Sequence, residues 1–562
     1  MSANVTVRGS DDVTASEPAA AGKPGKPGRT EDIGEPGKAS ATGAAAETGS
    51  TAPAGAEELR GAVARDRTVA VVGTGTMGQG IAQVALVAGH PVRLYDSAPG
   101  RAEEAVTALT ARLDRLVEKG RLDATAREAA VGRLHAAREL DELADAALVV
   151  EAIVELLPVK QRLFTDLEKV VGDDAVLATN TSSLSVTAIA GGLRLPGRFV
   201  GLHFFNPAPL LPLVEVVSGF ATEPDVATSA YETVKGWGKT PVRCADTPGF
   251  IVNRVARPFY AEALRVYEEG AADPATIDAA LRECGGFRMG PFELTDLIGQ
   301  DVNEAVTRSV WDSFHQDPKF TPSLAQRRLV ESGRLGRKTG QGWFSYAEGA
   351  ERPAPHTAPP AKAPERIVVR GDLGPAEPLV ALFEEAGITV RRKRGDGGFI
   401  KLPGGAELNL ADGETSFEYH KEEIVYFDLA LDYARASRIV LSTREGTAPE
   451  VLAEAVGLFQ ALGKQVSVIG DVPGMIVART VAMLADLAAD AVARGVATAE
   501  DVDTAMRLGV NYPAGPLEWA AKVGFRRTSA LLGELHERYG TGRYAPSVAL
   551  VRRGYAEYAE DE

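Results

Sequence analysis
His203 and Glu215 pose the chemical question of this 562-residue chain. His203 is one of only seven histidines and closes a strand-like run, RFVGLH. Glu215 follows inside LVEVV, an acid bracketed by β-branched residues. A carboxylate in such company must find a partner or give up its charge, and the imidazole is the obvious partner. A carboxylate bonded to one ring nitrogen fixes the tautomer. It also stabilises the imidazolium that forms when the other nitrogen takes a proton. An isolated histidine is more often structural than catalytic, so the pair needs a context that calls for a base.

The elements upstream supply that context. Val69–Val72 reads as a buried strand, and Gly73, Gly75 and Gly78 form GxGxxG with Thr76 and Met77 inside the loop. IAQVALVAG then reads as a helix stopped at Gly89, and PVRLYD as a second strand ending in Asp96. Strand, glycines, helix, strand and terminal acid in this order form a dinucleotide fingerprint. The glycines let the backbone approach a pyrophosphate at the helix N-terminus, and the acid accepts from the adenosine ribose. A carboxylate at 96 repels a 2′-phosphate, so NAD is expected over NADP, with Arg101 the one nearby residue that argues otherwise. ALVVEAIVE, ending at Glu155, and AVLATNTSSLSV supply two further strands. Ligands of a doubly wound sheet sit beyond the carboxyl ends of its strands, so Glu155 and Asn180–Ser183 should gather at the glycine loop. Beside a bound nicotinamide, His203 becomes the base that an alcohol dehydrogenation needs.

The glycine loop, TNTSSL, HFFNP, LVEVV, DTPGFIVNR, GPFEL and GRKTGQGWF occur in that order. Together they resemble the L-3-hydroxyacyl-CoA dehydrogenase family over residues 67–346. The resemblance implies an α/β Rossmann NAD-binding domain (66–243) and an all-α C-terminal domain (244–346). It implies NAD as cofactor, an acyl-CoA substrate, and oxidation of an L-3-hydroxyacyl-CoA to the 3-ketoacyl-CoA. His203 and Glu215 fall on the family's dyad. Ser182 falls on a serine touching substrate and cofactor, and Asn253 on an asparagine that helps hold the reacting oxygen. By the same resemblance Glu155, Lys160 and Lys338 contact NAD, Lys119 reaches the CoA end, and Asn206 the thioester-bearing arm. Charge pattern alone would make Arg112, Arg115 and Lys119 a solvated helix face.

The chain then repeats itself. DTPGFIVNR (Asp246–Arg254) returns 225 positions on as DVPGMIVAR (Asp471–Arg479), with Ala478 in place of Asn253. At the same offset Lys239 meets Lys464, Asp278 meets Asp503, and GPFE meets GPLE. A Pro/Ala-rich linker (347–365) precedes a truncated Rossmann-like domain (366–470) without GxGxxG, and a second all-α copy (471–562) follows. This layout resembles the two-half bacterial members of the family, of 3-hydroxybutyryl-CoA or 3-hydroxyadipyl-CoA type, including those of phenylacetate breakdown. One working site is expected, with the duplicated helical domains forming an internal pseudo-dimer or a homo-oligomer contact. His420, in EYHKEE, reads as a solvated turn residue.

Composition sets outer bounds. A formal charge of −16 disfavours nucleic acid and anionic membranes as partners. Two cysteines, neither in a metal-binding spacing, fit a reducing cytoplasm and no metal. Residues 1–65 lack apolar periodicity and read as a disordered tail. Two rivals stand beside the main reading: a β-hydroxyacid dehydrogenase acting on free acids, and a non-enzymatic redox sensor or structural protein. The acyl chain is not legible. A distal carboxylate would want a cation, and Arg257 and Arg288 stand nearby in sequence, although both read first as surface salt-bridge partners.

Overall fold
The computed structural model describes residues 61–395, 397–418 and 423–561, with side chains through residue 557. Residues 1–60 and His420 lie outside the described residues. The expected tail ends earlier than residue 65: Val63 packs on the first domain and its N–H donates to Thr233 Oγ1 at 2.8 Å.

The first sheet carries eight strands: β1 (Thr68–Val72), β2 (Val92–Tyr95), β3 (Leu134–Ala137), β4 (Ala146–Glu151), β5 (Val176–Thr179), β6 (Phe199–Phe204), β7 (Leu213–Ser218) and β8 (Thr240–Ala245). Their order is β3-β2-β1-β4-β5-β6-β7-β8, parallel except for the β6–β7 pair. Every residue of β1, β4, β5 and β6 is buried, which is why these strands are continuous apolar runs rather than alternating ones. The strand order reverses between β1 and β4, where the ligand crevice of a doubly wound sheet lies. β8 runs to Ala245, two residues past the expected domain edge.

The second sheet has seven strands: β9 (Arg366–Arg370), β10 (Thr389–Lys393), β11 (Phe399–Lys401), β12 (Glu407–Leu410), β13 (Ile424–Phe427), β14 (Arg438–Ser442) and β15 (Gln465–Ile469). Their order is β10-β9-β11-β12-β13-β14-β15. The domain is therefore reduced in its helical crossovers more than in its strands. An antiparallel β11–β12 pair fills the middle of the sheet, and Leu379–Glu385 and Pro449–Gln460 are its α-helices among the described residues. The Pro/Ala-rich linker is not a loose tether. Ala358 N–H donates to Val466 O at 2.8 Å, and His356 Nδ1 accepts from Val468 N–H at 3.2 Å, which straps the segment along β15.

Each helical domain is entered through the same turn. Gly249 and Phe250, and again Gly474 and Met475, take positive φ. Glycine meets this without strain, and the non-glycine that follows is held there by its surroundings. The repeated aspartates have repeated work as well. Asp278 accepts from the N–H groups of Phe292 and Glu293 at 2.9 Å each, and Asp503 from those of Leu517 and Glu518 at 2.9 and 3.1 Å.

The two helical domains pack on each other through Arg257–Glu268 and Val477–Ala493. A buried ionic cluster lies between them. Glu262 accepts from Arg479 Nε at 2.9 Å, Arg543 Nη2 at 2.5 Å and Tyr544 Oη at 2.7 Å, and Arg479 also pairs with Glu269 at 2.9 Å. Burial alone would raise the Glu262 carboxyl, but Arg543 and Arg479 outweigh it and hold it at about 2. Arg254, the counterpart of Arg479, reaches the other way to Asp490 at 2.6 Å. Among the described residues no helix is long and apolar enough to cross a membrane.

Candidate active site
The glycine loop is built as a phosphate cradle. Gly73 takes φ 97°, and a Cβ there would lie 2.6 Å from Ala152 O. A Cβ on Gly78 would collide with the Gly73 carbonyl. Gly75 has open space where a Cβ would stand, and as N-cap of the helix Thr76–Ala88 it leaves the first-turn N–H groups without a side-chain cap. Two glycines thus serve the protein's own packing, and the third keeps an uncapped helix end open to an anion. Asp96, at the end of β2, accepts from Thr74 N–H at 3.0 Å, Thr74 Oγ1 at 2.7 Å and Ala98 N–H at 3.1 Å. Burial raises its carboxyl, yet these bonds and Arg101 bring it below the usual value, so it stays ionised. Arg101 itself pairs with Glu104 at 3.3 Å.

His203 and Glu215 lie directly opposite one another on the antiparallel strands β6 and β7. His203 Nδ1 is 2.6 Å from Glu215 Oε2. The other carboxylate oxygen, Oε1, accepts from Ile251 and Val252 N–H at 3.0 and 2.9 Å. Glu215 is fully buried and joins three things: the sheet, the imidazole and the first turn of the helical domain. Domain docking and histidine orientation are therefore one structural event. Because Nδ1 is taken, Nε2 is the ring nitrogen left to the cavity.

That cavity, of about 460 Å³, lies between the two domains. Met77, Glu155, Lys160, Ser182, His203, Asn206 and Asn253 all line it. Asn253 Nδ2 donates to the Ser182 carbonyl at 3.4 Å. Glu155 anchors the serine turn, accepting from Thr181 Oγ1 at 2.5 Å, Ser182 N–H at 2.9 Å and Ser183 Oγ at 3.1 Å. Burial raises its carboxyl, but Lys160 and these donors hold it below the usual range. Lys160 is buried and ion-paired with Glu151 at 2.5 Å and Glu155 at 3.2 Å, so its charge is already matched within the chain. Lys119 is exposed beyond the helix Arg101–Glu118, and Lys338 pairs with Asp301 at 2.5 Å; neither lines the cavity.

Two contributors escaped the sequence reading. Glu151, fully buried at the end of β4, holds Lys160 and Thr179 Oγ1, and its only signal was an acid inside an apolar strand. Val510, from the second helical domain, closes one wall, and no local pattern marks it. Arg257 is in sequence a candidate cation for a distal carboxylate but reads first as a surface salt-bridge partner, and that surface reading is overturned: it is 6% exposed, lines the cavity and has no carboxylate partner among the described residues. Arg288 is exposed and does not line the cavity, nor does it pair with a carboxylate among the described residues.

Fold and site together define a nucleotide-dependent dehydrogenase with an imidazole–carboxylate pair at a two-domain cleft. Family models agree domain by domain. Residues 68–247 match the 3-hydroxyacyl-CoA dehydrogenase NAD binding domain, and 249–346 and 474–560 match that family's C-terminal domain. Residues 408–473 match the 3-hydroxybutyryl-CoA dehydrogenase reduced Rossmann-fold domain. The chain belongs to the 3-hydroxyacyl-CoA dehydrogenase family. It is 44% identical to the 3-hydroxyadipyl-CoA dehydrogenase of Escherichia coli K12 over 87% of this chain and 98% of that one. The 3-hydroxybutyryl-CoA dehydrogenase of Mycobacterium tuberculosis is 38% identical over 50% of this chain and 98% of its own. A crystal structure of 3-hydroxybutyryl-CoA dehydrogenase from E. coli K12 superposes with a TM-score of 0.80 at 42% identity, covering 88% of this chain and 99% of that one.

Proposed function
We propose that this enzyme, an NAD-dependent oxidoreductase acting on a 3-hydroxyacyl-CoA, works through His203 as general base, with Glu215 orienting it. The observation that carries this is the 2.6 Å bond from a fully buried carboxylate to Nδ1 of a cavity-lining histidine. Gly73–Gly78 and Asp96 would hold NAD, which would supply the hydride acceptor for C3. The proton of the C3 hydroxyl passes to His203 Nε2, and the buried Glu215 carboxylate stabilises the cation that results. Ser182 and Asn253, on opposite sides of the same cleft, hydrogen-bond the oxygen as its charge changes. Glu155 and Lys160 shape the serine turn under the cofactor site, and Asn206 lies at the rim, where the thioester arm enters. Lys119 and Lys338 act from outside the cavity, toward the CoA and the cofactor respectively.

The second half is scaffold. It supplies an internal partner surface for the catalytic helical domain and one cavity wall, and the contact through Glu262 and Arg479 supports this reading. Two buried free thiols, Cys244 and Cys284, suit a reducing cytoplasm. The test is steady-state turnover of L-3-hydroxyacyl-CoAs against the corresponding free 3-hydroxy acids, each with NAD and NADP. Thioester-dependent NADH formation is expected. Preference for the free acids would sink the reading.

A further inference from the structure
Among the described residues six arginines are buried: Arg198, Arg254, Arg257, Arg438, Arg479 and Arg543. Five of them have a carboxylate, at distances from 2.5 Å (Arg543–Glu262) to 3.7 Å (Arg198–Glu168). Arg257 has none. Its Nη1 donates to Thr307 Oγ1 at 3.1 Å, its guanidinium lies 5.0 Å from the Tyr260 ring centre, and its Nε is buried without a partner. The ionisable groups beside it are Tyr260 and Tyr512, both phenols. Tyr512, from the second half, also has a buried hydroxyl without a partner. A guanidinium stripped of water and left without an anion is costly, so the site is built for an anion that arrives from outside.

Its position says which part of a ligand carries that anion. Asn253, Ala256, Arg257 and Tyr260 line one wall of the cavity, with Ile298, Val302 and Val306 beside them. Arg257 follows Asn253 by four residues, across the break between Val252–Val255 and Arg257–Glu268, and lines the same cavity as His203. The scaffold half has no equivalent: at the constant offset of 225, Ala482 stands where Arg257 does. Helix continuity differs as well. The helix breaks at Ala256, with Pro258 in the first turn of Arg257–Glu268, whereas Val477–Ala493 runs unbroken through Met483.

Building on the reaction assigned above, we propose that Arg257 receives a carboxylate at the distal end of the acyl chain. The preferred substrates are then ω-carboxylated 3-hydroxyacyl-CoAs. The guanidinium fork suits a planar carboxylate, and an uncharged chain end leaves it unpaired, so discrimination comes from both sides.

The test compares 3-hydroxyadipyl-CoA with 3-hydroxyhexanoyl-CoA, which has the same chain length and a methyl end, using the full chain and NAD. The wild-type enzyme is expected to favour the carboxylated substrate by about 100-fold in kcat/KM. Arg257→Met should erase that preference by lowering turnover of the carboxylated substrate about 100-fold, without slowing the hexanoyl substrate. Arg257→Lys, which keeps the charge but not the fork, should retain part of it. Because Met removes an unpaired buried charge, the thermal midpoint of Arg257→Met should hold or rise, opposite to the loss of a structural ion pair. Equal use of both substrates by the wild type, or parallel loss of both in Arg257→Met, overturns the proposal. N-acetylcysteamine thioesters of the same acids lack the phosphates of CoA; the preference should persist with them, and its loss would overturn the proposal. Absence of turnover on every thioester would instead overturn the reaction assignment, whereas turnover without preference removes only the role of Arg257.

Discussion

The two halves of the chain share a frame but not a chemistry. Strands β6, β7 and β8 of the first half correspond to β13, β14 and β15 of the second at a constant offset of 225 residues, with the same antiparallel then parallel pairing. His203 becomes Asp428 and Glu215 becomes Val440, and each pair sits directly opposite across its strands. In the first half the carboxylate on β7 holds both the imidazole and the N–H groups of Ile251 and Val252. In the second half the carboxylate has moved to the strand before, where Asp428 accepts from Ile476, Val477 and Ala478 N–H at 2.8 to 3.0 Å. The acid that accepts from the helix-end N–H groups survives in both halves; the imidazole does not. A lysine contact at the same offset is kept in both, Lys239 Nζ to Leu211 O at 2.9 Å and Lys464 Nζ to Ala436 O at 2.7 Å. The frame persists because helix-end N–H groups and strand ends must be satisfied in any copy that folds. The imidazole and Asn253 carry no such obligation.

The sharpest way to break this comparison is at the two equivalent positions. His203→Gln should lower kcat about 10³- to 10⁴-fold, with NAD affinity unchanged by fluorescence titration, because a positioned general base contributes about that much. A loss under tenfold would put His203 outside the chemistry. Second in size is the contact between the halves. Glu262→Gln should destabilise the protein by about 3–5 kcal/mol, since it leaves Arg543 buried without its carboxylate and Arg479 with Glu269 alone. The same acid gives a signed pH dependence. Its folded-state value of about 2 lies below the ordinary 4.5, so its contribution is fully present above 4.5 and is lost as pH falls toward 2. Denaturant midpoints measured across that window should fall in the wild type and fall less in Glu262→Gln.

A smaller effect separates Asn253 from its counterpart. Asn253→Ala should lower kcat about 10²-fold through loss of a donor to the reacting oxygen. Ala478→Asn should leave kcat unchanged; a gain there would mean that the second half works. The smallest expected change is in Asp428→Ala, which should cost about 1–3 kcal/mol through its orphaned helix-end N–H groups, while kcat per folded molecule stays that of the wild type.

What the sequence by itself determined is the set of features whose physics is local or periodic. The glycine loop is legible because Gly73 and Gly78 answer to backbone geometry within the same turn, and Asp96 because it ends the next strand. The duplication is legible because Gly249 with Phe250 and Gly474 with Met475 must make the same left-handed turn. The likeness of His203 and Glu215 to a dyad is legible because an acid among valines requires a partner. Three things were left to the tertiary structure. β11, β12 and β13 are short strands whose pairing depends on neighbours far along the chain. Lys160, read as a cofactor contact, is paired with Glu151, an acid that only the sheet brings to it. Arg257 reads as a surface residue until the helices of both halves close over it, because burial is decided by what packs on a side chain and not by the residues beside it.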